Sequence, residues 1–223
     1  MKPLKLVVAN KNYSSWSMRP WVLLTQAGIA FEEIQLKFTE DAEGGVAVAG
    51  IAPYSPTGQV PALIADGEPV WDSLAIGEAA AELFPGKTLW PADARARQVA
   101  RSICAEMHAG FRNLRGAMPV NIRASHPGKG MSPAVQRDID RIVEIWESCR
   151  ARFGAGGEML FGQFGIADAY YAPVATRFLT YAVALPPLAQ RYADALLDLS
   201  AVREWMAQAR RETEFVRADE PYA

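Results

Sequence analysis

Hydroxyl side chains crowd one short segment, Asn12-Tyr13-Ser14-Ser15-Trp16-Ser17-Met18-Arg19-Pro20. An apolar run, residues 4–8, precedes it, and Trp21-Val22-Leu23-Leu24 follows. That order predicts a buried strand, a turn and a helix start. A helix start offers free backbone N–H groups and the positive end of the helix dipole. Such a place holds an anion, and a thiolate is an anion. The segment has no cysteine, so the sulfur must arrive on a ligand. Tyr13, Ser14, Ser15 and Ser17 are the hydroxyls close enough in sequence to serve it.

Two further segments have polar chemistry at matching places. In Thr57-Gly58-Gln59-Val60-Pro61-Ala62-Leu63, a proline stands at the first residue of a predicted strand, where it is tolerated. A cis Val60-Pro61 bond would turn the Val60 N–H and C=O outward, as an edge for an extended peptide. In Trp71-Asp72-Ser73, Ser73 reads as the N-cap of a helix over 74–84. That helix mouth suits a carboxylate, and Asp72 beside it suits an ammonium. A ligand with an amine and a carboxylate on one carbon fits both.

These segments need a frame. Strand-like runs fall at 4–8, 31–35, 62–65 and 69–71, and helix-like ones at 18–27 and 74–84. Gly28 is the expected cap of the first helix, and Pro85-Gly86 closes the second. A helix crosses between the first two strands, so they must be parallel. Asp66-Gly67 marks a hairpin between the last two strands, and the part between 36 and 61 reads as irregular. Residues 1–84 are therefore a compact α/β domain with a mixed sheet, and 85–91 is a linker. After it the strand pattern stops. Helices are expected at 92–116, 132–153, 166–180, 187–197 and 201–211, with Ser132-Pro133 as an N-cap and first-turn proline. Residues 92–223 read as an all-helical domain of about five helices.

Composition excludes several classes. A net charge of -2 over 223 residues favours neither nucleic acid nor an anionic membrane. Every apolar stretch falls short of the roughly 20 residues of a membrane helix. The start, Met1-Lys2-Pro3-Leu4, enters a strand pattern rather than a signal peptide core. We expect a cytoplasmic protein. Cys104 and Cys149 lack metal-ligand spacing and read as small buried apolar residues, and no metal site is expected.

Together these segments resemble the cytosolic glutathione S-transferase superfamily over about the full chain. The turn Ser14-Ser15-Trp16-Ser17-Met18-Arg19 is similar to the Ser-Ser-Cys-Ser-X-Arg turn of its zeta class, with Trp16 in the cysteine position. Gln59-Val60-Pro61-Ala62-Leu63 looks like the family's cis-proline motif, and Asp72-Ser73 like its acidic-Ser motif for a γ-glutamyl group. Phe164-Gly165-Ile166-Ala167-Asp168 resembles its capping segment, with Gly165 replacing the usual Ser or Thr. Asp168 reaching back to the Gly165 N–H would still make half a capping box, a structural role.

The resemblance implies a thioredoxin-like α/β domain followed by an all-α domain, a homodimer, and glutathione as co-substrate. It implies a transferase with a role in detoxification, in which bound thiolate attacks a small electrophile. Ser14 is then the preferred donor to sulfur, with Tyr13 the main rival and Ser15 and Ser17 behind. Gln59, Val60, Pro61, Asp72 and Ser73 would hold glutathione, with Lys37 a weaker candidate. The electrophile should lie between the domains, lined by Met107, Phe111, Arg112 and Met118. Arg112 and Arg115 hint at an anionic one, against the plainer reading of a solvated helix face. His108 reads as a satisfied helix residue, and Arg19 as a bridge between domains. The alternative is a glutathione-dependent isomerase of maleylacetoacetate or maleylpyruvate type, which Trp16 puts in question. A non-catalytic binding module of the same fold is the third reading.

Overall fold

The computed structural model describes residues 3–40 and 45–223. Met1 and Lys2, read as the approach to the first strand, lie outside the described residues, as do 41–44 in the stretch read as irregular. The first half contains β1 (Lys5–Val8), α1 (Ser15–Gln26), β2 (Glu32–Gln35), β3 (Lys37–Glu40), β4 (Val46–Ala49), β5 (Ala62–Ala65), β6 (Glu68–Val70) and α2 (Ser73–Leu83). One sheet has the order β2-β1-β5-β6. β1 pairs parallel with β2, Lys5 opposite Glu32, and antiparallel with β5, Leu6 opposite Leu63. The expected mixed sheet is present. Asp66 and Gly67 both take positive φ, 53° and 101°, the conformation a tight hairpin needs.

β1 is apolar throughout because both its faces are covered. Leu4, Leu6 and Val8 pack into the main core with α1, while Val7 and Ala9 face Val48, Ile51 and Ala62 behind the sheet. That second cover corrects the sequence reading. Lys37–Glu40 and Val46–Ala49, taken as irregular, form a two-stranded antiparallel sheet over the back face. Helix α1 begins at Ser15, not at residue 18, because Ser14 caps it: its Oγ accepts from the Ser17 N–H at 3.3 Å. Gly28, at φ 63°, ends it.

A 3-10 turn at Pro85–Lys87 leads into α3 (Ala94–Ala109), α4 (Arg112–Ala117), α5 (Pro133–Phe153), α6 (Ile166–Tyr181), α7 (Pro187–Leu197) and α8 (Ser200–Ala209). The region 92–116 is thus two helices, not one. A Cβ at Gly110 would lie 2.7 Å from the Glu106 carbonyl oxygen, and Phe111 turns the chain through φ 59°. Every residue of α6 except Leu179 is buried, so it is the axis of the helical half. Trp146 of α5 packs edge-on against Tyr171 and Tyr192. Asp168 closes the half capping box as expected, accepting from the Gly165 N–H at 2.9 Å. It also accepts from the Leu160 N–H at 3.0 Å and the Tyr192 hydroxyl at 3.1 Å. Cys104 and Cys149 are free and buried, and burial pushes both thiols up, that of Cys149 to about 11. Among the described residues, no helix is long and apolar enough to cross a membrane.

Candidate functional site

The turn between β1 and α1 is fixed from several sides. Asn12 donates from Nδ2 to Asn121 Oδ1 at 2.9 Å and accepts from the Arg123 N–H at 2.9 Å, so the loop after α4 lies against it. The Glu212 carboxylate, beyond α8, accepts the N–H groups of Lys11 at 2.7 Å and Asn12 at 3.0 Å. Lys11 itself is buried. Its Nζ meets Glu33 Oε1 at 2.6 Å and lies over the Trp21 and Trp205 rings, and burial lowers its pKa.

These anchors leave a cleft of about 230 Å³ at the mouth of α1. The first half contributes Tyr13, Ser14, Ser15, Trp16, Phe38, Gln59 and Val60 to its lining. The second half contributes Arg115, Pro119, Val120, Arg177 and Asp219. Two of the three segments singled out in the sequence thus meet on one cavity. The Val60-Pro61 bond is cis, and neither backbone group of Val60 has a main-chain partner among the described residues. The third segment lies outside this lining.

The four hydroxyls differ in their commitments. Ser14 Oγ donates to Ser17 Oγ at 2.8 Å, and Ser17 Oγ accepts from the Ala9 N–H at 3.2 Å. Ser17 is fully buried and does not line the cleft. The Ser15 hydroxyl has no hydrogen-bond partner among the described residues. Tyr13 is turned toward the C-terminal segment: its hydroxyl meets Glu220 Oε1 at 2.7 Å and receives Arg123 Nη2 at 2.8 Å. Burial, then the Glu220 carboxylate, raises the Tyr13 pKa, the opposite of what a readily ionised phenol needs.

The Asp72-Ser73 pair departs from its expected roles. Asp72, not Ser73, caps α2, accepting from the Leu74 N–H at 2.9 Å. An aspartate before a serine can cap equally well, so composition could not choose between them. Ser73 is buried, its Oγ 3.0 Å from the Tyr170 hydroxyl. Asp72 is exposed, its Oδ2 3.1 Å from His108 Nε2. Burial lowers the His108 pKa below its usual value, its Nδ1 has no partner among the described residues, and its ring stands edge-on to Trp16.

The electrophile wall also needs correction. Met107 and Met118 are fully buried in the core, Phe111 sits in the break between α3 and α4, and Arg112 points to solvent. None of the four lines the cleft. The helix break after Ala109 changes which face of this region meets the first half, and of the residues considered there Arg115 reaches the cleft. Lys37 pairs with Glu214. Arg19 does bridge the halves, its guanidinium 4.2 Å from the Trp16 ring and 4.7 Å from that of Tyr170 on α6. Arg177 and Asp219 were not foreseen. A lone arginine inside the otherwise uncharged stretch 169–181 of α6 was a usable signal; the tail residue Asp219 had none. Among the described residues, no group of three His, Cys, Asp or Glu side chains could hold a metal ion.

The family described as Glutathione S-transferase, N-terminal domain matches residues 13–83, and that described as Glutathione S-transferase, C-terminal domain matches residues 132–208. No curated protein matches the sequence. Among solved structures, a glutathione transferase homolog from Burkholderia gl BGR1 with bound glutathione is 23% identical with a TM-score of 0.70, over 95% of this chain and 100% of that one. A Tau class glutathione S-transferase from mango, Mangifera indica, is 17% identical with a TM-score of 0.65, over 98% and 96%. A rice glutathione S-transferase in complex with glutathione is 20% identical with a TM-score of 0.64, over 94% and 95%. At these identities the likeness is one of fold.

Proposed function

The chain belongs to the glutathione S-transferase family, and from that premise we propose that it is a working glutathione transferase. The observation that carries the proposal is the cleft at the mouth of α1, where Ser14 and Ser15 meet Val60 and its cis proline. Glutathione supplies the nucleophilic sulfur. The chain supplies recognition and charge stabilisation. Val60 offers unpaired backbone groups to the peptide, with Pro61 shaping that edge and Gln59 exposed beside it. Asp72, exposed at the mouth of α2, offers a carboxylate to the γ-glutamyl ammonium, and the first N–H groups of α2, beginning at Ser73, suit its carboxylate.

A free thiol of pKa about 8.5 is only a few per cent ionised at neutral pH. Lowering it by about two units takes roughly 2.7 kcal/mol of preference for the anion. The α1 terminus provides part of this through its dipole and first-turn N–H groups. The Ser14 hydroxyl adds a charge-assisted hydrogen bond by turning its proton from Ser17 to sulfur, still accepting from the Ser17 N–H. Ser15, with no competing partner, is the rival donor. The electrophile occupies the part of the cleft walled by Arg115, Pro119, Val120 and Arg177. Cytoplasmic location, a homodimer and a detoxifying role belong to the same proposal.

Trp16 stands where zeta isomerisation uses a cysteine, which weighs against the isomerase reading. A pure binding module needs neither the serine turn nor an open cleft beside it. Retention on immobilised glutathione, elution by free glutathione and conjugation of a panel of electrophiles test the proposal. Retention without any conjugation would leave a binding module, and no retention would remove glutathione from the account.

A further inference from the structure

The cleft holds more positive charge than the protein balances. Three arginines gather behind and along it. Arg19 is 1% exposed, and its Nε and Nη1 have no hydrogen-bond partner among the described residues. Arg115 lies 4.6 Å from the Trp16 ring; its Nη2 donates to the carbonyls of Met107 and His108, while its Nε has no partner among the described residues. Arg177 is buried in α6, with Nε donating to the Met118 carbonyl at 2.9 Å. Among the described residues, none of the three forms an ion pair with a carboxylate. Burial lowers all three pKa values, and for Arg177 burial together with the charges of Arg19 and Arg115 brings it to about 9. The one acid lining the cleft is Asp219, whose carboxyl burial pushes up to about 6.

A buried cation without an anion is costly, and carbonyl contacts alone do not offset it. Neutral side chains could hold the Met107 and Met118 carbonyls without that cost. A bound thiolate would balance one charge, at the α1 end of the cleft. Arg115 and Arg177, both cleft-lining, remain on the electrophile side. Guanidinium groups are planar forks that match a carboxylate.

Building on the transferase reading, we propose that this cleft selects a small electrophile bearing a carboxylate, held by Arg115 and Arg177 with its reacting carbon toward the sulfur at the α1 terminus. A neutral isostere leaves Arg115 without an anion and Arg177 facing Asp219 alone, and an added second negative charge would meet Asp219.

The test uses matched probes, 4-chloro-3-nitrobenzoate and 4-chloro-3-nitrobenzamide. In each, the thiolate sulfur bonds the chlorine-bearing carbon, chloride leaves with the C–Cl electron pair, and the thiol proton goes to solvent. Each kcat/KM is divided by the rate with free glutathione, which removes the intrinsic reactivity of the ring. The acid should be favoured about tenfold or more, as one charge-assisted hydrogen bond implies. Calorimetry with unreactive 3-nitrobenzoate and 3-nitrobenzamide needs no turnover and should show the same preference. Arg115→Gln should collapse it, and Arg115→Lys, with charge but no fork, should fall between. Turnover and binding that treat acid and amide alike would overturn the anion site while leaving the transferase reading standing. Binding preference for the acid with no turnover of either probe would retire the transferase reading and keep the site. If Arg115→Gln moves only the thiolate titration and leaves the acid-to-amide ratio intact, the arginines serve the sulfur and the proposal is wrong. The wild-type binding comparison stands even if a variant fails to fold.

Discussion

Removing the Asp168 carboxylate should unlock the start of α6. Asp168 Oδ1 takes hydrogen bonds from the Leu160 N–H and the Tyr192 hydroxyl, and Oδ2 takes one from the Gly165 N–H. The residue is 1% exposed, so water does not replace it. Each buried donor left unpaired costs about 1–3 kcal/mol. Asp168→Ala abandons three, for a loss of about 3–9 kcal/mol against a total of about 5–15 kcal/mol for a typical fold. In Asp168→Asn the amide oxygen keeps Leu160 and Tyr192, but the NH2 faces the Gly165 N–H. That variant should lose about 2 kcal/mol, and Tyr192→Phe about 1 kcal/mol. Urea unfolding at pH 8, followed by tryptophan fluorescence, measures all three. The pH dependence has a definite sign. Burial, opposed by the three hydrogen bonds, holds the folded carboxyl at about 6, above its ordinary 3.8. The folded state therefore keeps a proton that the unfolded chain has shed. This contribution to stability is fully present below about pH 4 and is lost as pH rises through 6. Asparagine cannot supply it, so the Asp168→Asn deficit should be about 1.4 kcal/mol larger at pH 5 than at pH 8. A smaller deficit at pH 5 would show that the hydrogen bonds outweigh burial, and an alanine variant losing under about 1 kcal/mol would refute the structural role.

Asp72→Asn keeps a side chain able to cap α2 but removes the charge offered to the ammonium, so stability should hold while glutathione affinity falls by about 1.5–3 kcal/mol; unchanged affinity by calorimetry would take Asp72 out of the site. Tyr13→Phe should leave the pH–rate profile in place, because that hydroxyl is tied to Glu220 and Arg123; a profile moved to higher pH would make Tyr13 the sulfur donor. The protein should run as a homodimer by light scattering at micromolar concentration, and a monomer mass would count against it.

The sheet was legible because β1 and β5 are apolar runs and the crossing helix forces β1 and β2 parallel. The cis Val60-Pro61 bond was legible from its motif, since few residue types serve that position. The β3–β4 pair was not, because Lys37-Phe38-Thr39-Glu40 has a single apolar residue to pack and Val46–Ala49 is short and mostly exposed. The break in the helix after Ala109 escaped for another reason. One glycine in a helical pattern costs only about 1 kcal/mol, and nothing marks Phe111 for a left-handed turn. Reading through that break put Met107, Phe111, Arg112 and Met118 on the cleft beside Arg115, where Pro119 and Val120 stand. Asp219 escaped altogether, since tail residues reach a site through tertiary contacts such as the Arg123 bonds to the carbonyls of Glu212 and Glu214.

The central claim is that the mouth of α1 holds glutathione as a thiolate. Ultraviolet titration of bound glutathione against pH tests it most directly, on the wild type and on Ser14→Ala and Ser15→Ala. The account predicts that the bound thiol ionises about two units below its free value of about 8.5, and that Ser14→Ala returns it most of the way with little loss of affinity. A shift abolished by Ser15→Ala and untouched by Ser14→Ala would transfer the role to Ser15. A bound thiol that titrates at its free value in the wild type would contradict the account.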